Sequence, residues 1–217
     1  MSSTLRAGLA LGLLACVVTA GGCTQFKRWA YASGDRDRWQ EPERVIESLG
    51  IGAGDRVADL GAGGGYFTFR LAEAVGDAGR VYAVDVDEEM LAALQDDVDK
   101  RSIANIDIVV SALADPRLEP GSVDLVFTSN TYHHIGERVG YFRRVAGALS
   151  EGGRVAIIDY KPEGFFQKRH ATPVETIRSE MVEAGFALVR ELDYLERQNF
   201  LIFEPVEFGV VPREGGR

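Results

Sequence analysis

The chain has 217 residues, of which 46% are hydrophobic and 26% are charged, and its formal net charge is −9 at pH 7. This composition is that of an ordinary globular protein, and the length suits one domain with a sizeable core. The excess of acid, 33 Asp and Glu against 24 Lys and Arg, argues against a nucleic-acid partner because a protein that binds phosphates needs a basic face.

The first 22 residues have the order of a secretory signal peptide, with Arg6, then an uncharged apolar run over 7–20, then small residues. That run is shorter than the roughly 20 residues of a membrane-spanning helix. The end of the segment, "TAGGC", resembles a bacterial lipobox, and the resemblance implies a lipid on Cys23. We therefore expect a lipoprotein anchored to the membrane of a bacterial cell envelope. A plain signal cleaved nearby, or a misassigned start that would leave the protein cytoplasmic, are the alternatives.

The number and positions of the cysteines limit the reactions that the protein could catalyse. The only cysteines are Cys16, inside the apolar run, and Cys23. After processing no free thiol remains, which excludes a cysteine nucleophile and a cysteine-based metal site. We expect no metal site.

The next segment, residues 23–40, is polar and charged and predicts a tether and an entry segment that lead into the domain. Pro42 suits the first turn of a helix, so the folded domain is expected over residues 41–204, followed by a loosely held tail at 205–217.

Short apolar runs within this domain predict buried parallel strands at 56–60, 81–85, 106–111, 123–128 and 154–159. Segments with the periodicity of amphipathic helices separate most of these strands, while residues 112–122 predict a loop. Two final runs, at 187–192 and 199–203, are too close together for a crossover helix and should pair antiparallel. The sequence therefore predicts an α/β fold with a doubly wound, seven-stranded Rossmann-like sheet, mostly parallel and ending in an antiparallel hairpin.

A glycine-rich turn, "DLGAGGG" from Asp59 to Gly65, follows the first predicted strand. Such a turn presents backbone N–H groups and a helix N-terminus to a ligand at the carboxyl edge of the sheet. The dinucleotide fingerprint G-x-G-x-x-G fits only at Gly61 and Gly63, because its third position falls on Tyr66. The acid that precedes the glycines would repel a pyrophosphate and better suits a cation.

The full pattern, D-x-G-x-G-x-G, resembles the first motif of class I methyltransferases that depend on S-adenosyl-L-methionine (SAM). The resemblance implies that Asp59 and the backbone of Gly61, Gly63 and Gly65 hold the amino-acid end of SAM, which offers an ammonium and a sulfonium. Asp85 ends the second predicted strand, where an acid can bind a ribose diol. This ribose contact is common to SAM and NAD.

The same resemblance assigns the adenine slot to Val86 and Met90, after the second strand. The sequence departs from the family after the third strand, where many members carry an acid but Ser111 and Ala112 stand here. Adenine is then left to the backbone of Ala112 and its neighbour, or to Asp115.

Polar residues follow the fourth predicted strand in "SNTYHH" and should face the transferred methyl group. Asn130 is a predicted cofactor contact, and His133 and His134 are candidate bases for an OH or acidic C–H acceptor, or simple pocket walls. The predicted substrate pocket comprises Tyr132, His170, Trp39 and Tyr66. The chain from about residue 37 to 203 also resembles uncharacterised bacterial type 11-like methyltransferases with a "YHH" motif.

These features predict a SAM-dependent methyltransferase acting on a small molecule through an O, N or C acceptor. Two alternatives remain open. A NAD-dependent oxidoreductase is disfavoured by Asp59, Tyr66 and the final antiparallel pair. A non-catalytic envelope lipoprotein gains support from the predicted export, because SAM is made in the cytoplasm.

Overall fold

The computed structural model describes residues 35–162 and 171–206. The predicted signal peptide, Cys23 and His170 lie outside the described residues. In chain order, the elements are α1 (Arg36–Gln40), α2 (Pro42–Leu49), β1 (Arg56–Leu60), α3 (Thr68–Val75), β2 (Arg80–Asp85), α4 (Glu88–Arg101), β3 (Ile106–Val110), β4 (Val123–Ser129), a 3-10 turn (Tyr132–His134), α5 (Arg138–Ala148), β5 (Leu149–Tyr160), α6 (Val174–Glu183), β6 (Phe186–Leu192) and β7 (Gln198–Pro205).

The seven strands form one sheet in the order β3-β2-β1-β4-β5-β7-β6. The first five strands are parallel, and β7 runs antiparallel to both β5 and β6. This confirms the predicted fold class, including the antiparallel C-terminal pair. Strand order reverses between β1 and β4, and in open α/β sheets ligands bind beside the carboxyl ends of the strands at such a point.

Each face of the sheet carries its own hydrophobic core. Because successive strand residues point to opposite faces, Val57 of β1 packs with α2, α3 and α4, while Ala58 packs with α5 and α6. Leu71 of α3 and Phe142 of α5 are among the fully buried side chains of the two clusters. Helices cover both faces of the sheet, so the loops that follow the parallel strands lie at its carboxyl edge.

The predicted entry segment contributes a helix that packs on the domain before its expected start at residue 41. Residues 36–40 form α1, and Gln40 is fully buried. Its Nε2 donates a hydrogen bond of 2.8 Å to Oγ of Ser129, the last residue of β4. The sequence did not predict this contact, because one buried amide within a charged run produces no apolar periodicity.

No helix in the part of the chain that the structure describes is both long enough and apolar enough to cross a membrane.

Candidate functional site

The glycine loop after β1 packs tightly against the turn after β4. The N–H groups of Gly61 and Ala62 both donate to the carbonyl of Val84, at 2.8 and 3.1 Å, which draws the loop across the end of β2. Gly61 has φ of +77°, and a Cβ added there would lie 2.0 Å from Oγ1 of Thr131. Glycine is therefore required at residue 61 for both conformation and close approach.

The middle of the same loop is open on its outer side. A Cβ added to Gly63 would meet nothing nearer than 4.0 Å, so a ligand can approach this backbone closely. The N–H of Gly63 donates to Oδ2 of Asp85 at 2.9 Å, and the N–H of Asp87 donates to Oδ1 at 3.0 Å. These bonds hold the Asp85 carboxylate at the end of β2, and each of its oxygens keeps a lone pair that can accept from a ribose diol.

Asp59 is a buried carboxylate beneath the glycine loop, only 3% exposed. Thr68, at the start of α3, donates a hydrogen bond of 2.6 Å to its Oδ2. The pKa of Asp59 is raised to about 6, chiefly by burial; the Thr68 hydrogen bond and the charge of Arg36 oppose the shift, and the negative charge of Asp85 adds to it. A cationic ligand would relieve this penalty, so the residue suits the α-ammonium of SAM.

A positive charge on α1 lies at the other side of the loop. The guanidinium of Arg36 stacks 3.6 Å from the ring centroid of Tyr66, and its Nε donates to Oε1 of Gln40 at 2.6 Å. Burial lowers the pKa of Arg36, while the charge of Asp59 opposes that shift. Arg36 could not be recognised as a site residue from the sequence, because it stands among alternating charges that are typical of an exposed surface.

Tyr66, a predicted pocket residue, packs against α1. Besides stacking on Arg36, it donates its hydroxyl hydrogen to Asp37. Tyr66 thus joins the glycine loop to α1, and whether it also meets a substrate stays a prediction.

The predicted adenine residues lie beside Asp85. Val86 is 49% exposed, whereas Met90 is buried below the loop. The side chain of Asp87 accepts from the N–H of Met90 at 3.1 Å and so caps α4. An open depression of about 570 Å³ is lined by Val86, Asp87, Glu88 and Glu89. The structure therefore brings the ribose and adenine candidates together at one edge.

Ala112 lies in the β3–β4 loop, where its backbone is bonded to Asp115. Its N–H donates to the carbonyl of Asp115 at 2.9 Å, and its carbonyl accepts from the N–H of Asp115 at 3.1 Å. The carbonyl keeps a second lone pair, so the predicted contact of this backbone with adenine stays a prediction. The Asp115 side chain accepts from the N–H of Arg117 at 2.8 Å.

Tyr132 also departs from its prediction as a pocket residue. Its side chain is fully buried, its ring packs 5.4 Å from that of Phe142, and its hydroxyl donates to Glu180 of α6 at 2.7 Å. Neighbouring side chains of the short 3-10 turn point to different sides, and that of Tyr132 points into the core. Its side chain therefore exposes no surface to a substrate.

Asn130 lies at the end of β4 with φ of +58°. Its Oδ1 accepts a hydrogen bond of 2.6 Å from Nε2 of Gln198 on β7. The carboxamide is thus held on the β7 side, and its predicted contact with the cofactor stays a prediction.

His133 is paired with a buried acid that the sequence analysis missed. Its Nδ1 lies 2.7 Å from Oδ1 of Asp159, with side chains 7% and 0% exposed. Asp159 lies near the end of an apolar strand, but that position alone does not pair it with His133. His134 lies alongside, its ring centroid 4.0 Å from that of His133.

Aromatic rings link this turn to α1. The ring of Tyr160 lies 6.4 Å from that of His133 and 6.0 Å from that of Trp39, centroid to centroid. Arg197, in the β6–β7 connection, lies 5.5 Å from the centroid of Trp39. Two predicted site residues, Trp39 and His133, therefore lie on either side of Tyr160 and form one wall with it. Tyr160 itself was not predicted from the sequence.

The fold is that of class I SAM-dependent methyltransferases. A SAM-dependent methyltransferase from Aquifex aeolicus superposes with a TM-score of 0.76, covering 84% of this chain and 96% of that one at 23% identity. A phosphoethanolamine N-methyltransferase of Haemonchus contortus has this fold, with a TM-score of 0.64 at 18% identity, and its structure holds SAM. It covers 77% of this chain and 52% of its own.

Residues 57–153 match the family described as "Methyltransferase domain". Aklanonic acid methyltransferase of a Streptomyces species is 34% identical over 52% of this chain and 51% of its own length. A ubiquinone/menaquinone biosynthesis C-methyltransferase of Teredinibacter turnerae is 29% identical over 55% of this chain and 49% of its own. The chain thus spans about half the length of the curated relatives it matches.

Proposed function

We propose that this protein transfers the methyl group of SAM to a small-molecule acceptor. The observation that carries the proposal is the pair of carboxylates at the β1 and β2 ends. Asp59 is buried where the cationic end of SAM would sit, and Asp85 is oriented at the glycine loop where its ribose would sit. Asp59 is the feature that disfavours a pyrophosphate, which would meet its negative charge, whereas the ribose contact of Asp85 is common to SAM and NAD.

The residues of this chain would divide the work as follows. Asp59 faces the ammonium, Arg36 supplies a cation for the carboxylate of SAM, and Asp85 accepts from the ribose hydroxyls. The bound sulfonium supplies an activated methyl group. Methyl transfer is an in-line displacement, so positioning the acceptor and excluding water carry much of the rate. The turn at His133 and His134 lies next to the loop, since Thr131 abuts Gly61, and is the natural place for the acceptor.

Small molecules are also what the names of the matched relatives describe. One is named for aklanonic acid and another for quinone biosynthesis. These names support a small organic acceptor for this chain, together with its acidic charge of −9, which disfavours nucleic acid.

Calorimetric titration of the full chain with SAM, S-adenosylhomocysteine and NAD tests the proposal. We expect the first two to bind and NAD to bind poorly. Asp85→Ala should weaken S-adenosylhomocysteine binding by about 30- to 100-fold, because two hydrogen bonds to a charged group are lost.

The matched control is Asp107→Asn, an acid on β3 that is about half exposed and pairs with Arg80. It should leave the affinity unchanged. Preferential binding of NAD would favour the oxidoreductase, and no binding of any of the three would favour a non-catalytic lipoprotein.

We further propose that the protein is anchored to the membrane of the cell envelope through a lipid on Cys23. The support is the order of residues 1–23, with one basic residue, an apolar run and small residues before the cysteine. In a bacterial host, metabolic labelling with an alkyne fatty acid should mark the wild type but not Cys23→Ser, and only the wild type should sediment with membranes. Equal labelling of both, or a soluble wild type, would contradict the anchor.

A further inference from the structure

We propose that the acceptor is a planar, ring-bearing molecule whose ionisable hydroxyl gives its proton to His133, with Asp159 as the positioning residue. This inference rests on the proposed function and names the substrate class of the same site. It is carried by the buried His133–Asp159 pair and by the aromatic wall beside it.

The pair has the geometry of an oriented base. Nδ1 of His133 and Oδ1 of Asp159 lie 2.7 Å apart. A carboxylate can only accept, so Nδ1 donates and Nε2 becomes the nitrogen that takes a proton. In hydrolases the same arrangement holds a histidine in the tautomer that its catalysis requires.

Asp159 is a poor choice for stability alone. It is fully buried, and its Oδ2 has no hydrogen-bond partner among the described residues. A buried carboxylate with one unsatisfied oxygen is costly, and an apolar residue in this strand would avoid that cost. The presence of an acid at this position is explained if Asp159 orients His133 at the carboxyl edge of the sheet, where ligands bind.

The wall next to the pair is aromatic and carries a positive rim. Trp39 and Tyr160 are half-buried, their rings are tilted 34° to each other, and Arg197 lies over the indole. Such faces bind flat rings through stacking. The cation at the rim suits the oxyanion that forms when a hydroxyl loses its proton.

The chemistry explains why a base is present. The acceptor oxygen loses its proton to Nε2 of His133 and then forms a bond to the methyl carbon. The sulfur–methyl bond breaks, and its electron pair stays on sulfur, which becomes the neutral thioether. The proton later leaves His133 for solvent. An amine that enters neutral, or a carboxylate that enters ionised, needs no such base.

Three probes that share one ring test the substrate class: 2-naphthol, 2-naphthylamine and 2-naphthoic acid. With SAM and the full chain, we expect 2-naphthol to be methylated at least about tenfold faster than the other two. Asp159→Asn should lower that rate by about 100-fold or more, the usual contribution of a positioned base. Asp193→Asn, an exposed acid before β7, is the matched control and should change nothing.

Two readouts do not depend on turnover. By ¹⁵N NMR, wild-type His133 should carry its proton on Nδ1, and Asp159→Asn should shift the tautomer population toward Nε2 with the affinity for S-adenosylhomocysteine unchanged. Fluorescence titration of the S-adenosylhomocysteine complex with 2-naphthol should show about tenfold weaker binding in Trp39→Ala.

The outcomes separate this inference from the proposed function. Faster methylation of the amine or the acid, no methylation of any probe by a chain that binds SAM, or no effect of Asp159→Asn on rate and tautomer would overturn the inference alone. Failure to bind SAM would overturn the proposed function and the inference with it.

Discussion

Replacing Asp59 with Asn should produce a protein that is more stable at pH 7 and binds SAM on the order of 100-fold more weakly, because a charge-assisted bond to the ammonium is lost. The carboxamide is close in size to the carboxylate and can still accept from Thr68, which donates to Oδ2 of Asp59. The variant therefore removes the charge while leaving the packing of the loop in place.

The gain in stability follows from the raised pKa. Burial holds the pKa of Asp59 at about 6 in the folded chain, against an ordinary value of 3.8. Between these two values the folded state binds more protons than the unfolded state, so the free energy of unfolding falls as the pH rises through that window. At pH 7 the full cost is present, and removing the charge should recover roughly 1–3 kcal/mol.

Urea denaturation at pH 7 and pH 4.5, with calorimetric titration of S-adenosylhomocysteine, measures both effects. The stability difference between wild type and Asp59→Asn should shrink at the lower pH, where Asp59 is protonated. The half-exposed Asp107→Asn is again the control. An unstable variant, or one with wild-type affinity, would show that Asp59 serves the fold rather than the cofactor.

Gly61→Ala should destabilise the protein by about 3 kcal/mol or more, through overpacking and a strained φ. Its Cβ would lie 2.0 Å from Oγ1 and 2.7 Å from Cβ of Thr131, so no side-chain rotation relieves the contact. Thermal unfolding should show the melting temperature fall by many degrees.

Gly63→Ala is the matched comparison in the same loop. A Cβ there has nothing nearer than 4.0 Å, and φ is +52°, so only the backbone penalty of about 1 kcal/mol applies. This variant should fold but bind S-adenosylhomocysteine more weakly. Thr131→Gly combined with Gly61→Ala should recover part of the lost stability. Equal destabilisation by the two single alanine variants would refute the packing argument.

Strand periodicity and loop lengths were enough to predict the sheet. The run at 56–60 is β1, and the short link between 192 and 199 placed β7 antiparallel to β6. Hydrophobic burial has a period in sequence, and so the fold class could be read from it. The position of α1 could not be predicted, because its contacts join residues far apart in sequence, such as the hydrogen bond from Gln40 to Ser129, 89 residues away.

The residues of the candidate site also fall into two groups, those that could be predicted from the sequence and those that could not. Asp59 could be predicted because it leads directly into the glycine turn, and Asp85 because it ends the next strand. Arg36 and Asp159 could not be assigned, since their partners, Tyr66 and His133, are distant in sequence and meet only in the folded chain. Tyr132 was misassigned because a 3-10 turn sends neighbouring residues to different sides, and sequence alone does not fix which one enters the core.

Hydrogen–deuterium exchange of the full chain with and without S-adenosylhomocysteine tests the central claim, that the glycine loop and the end of β2 hold the cofactor. We expect slower exchange in peptides that contain residues 61–67 and 85–90, and unchanged exchange in the β6–β7 hairpin. Protection that is absent, or that falls outside those two segments, would contradict the assignment of the site.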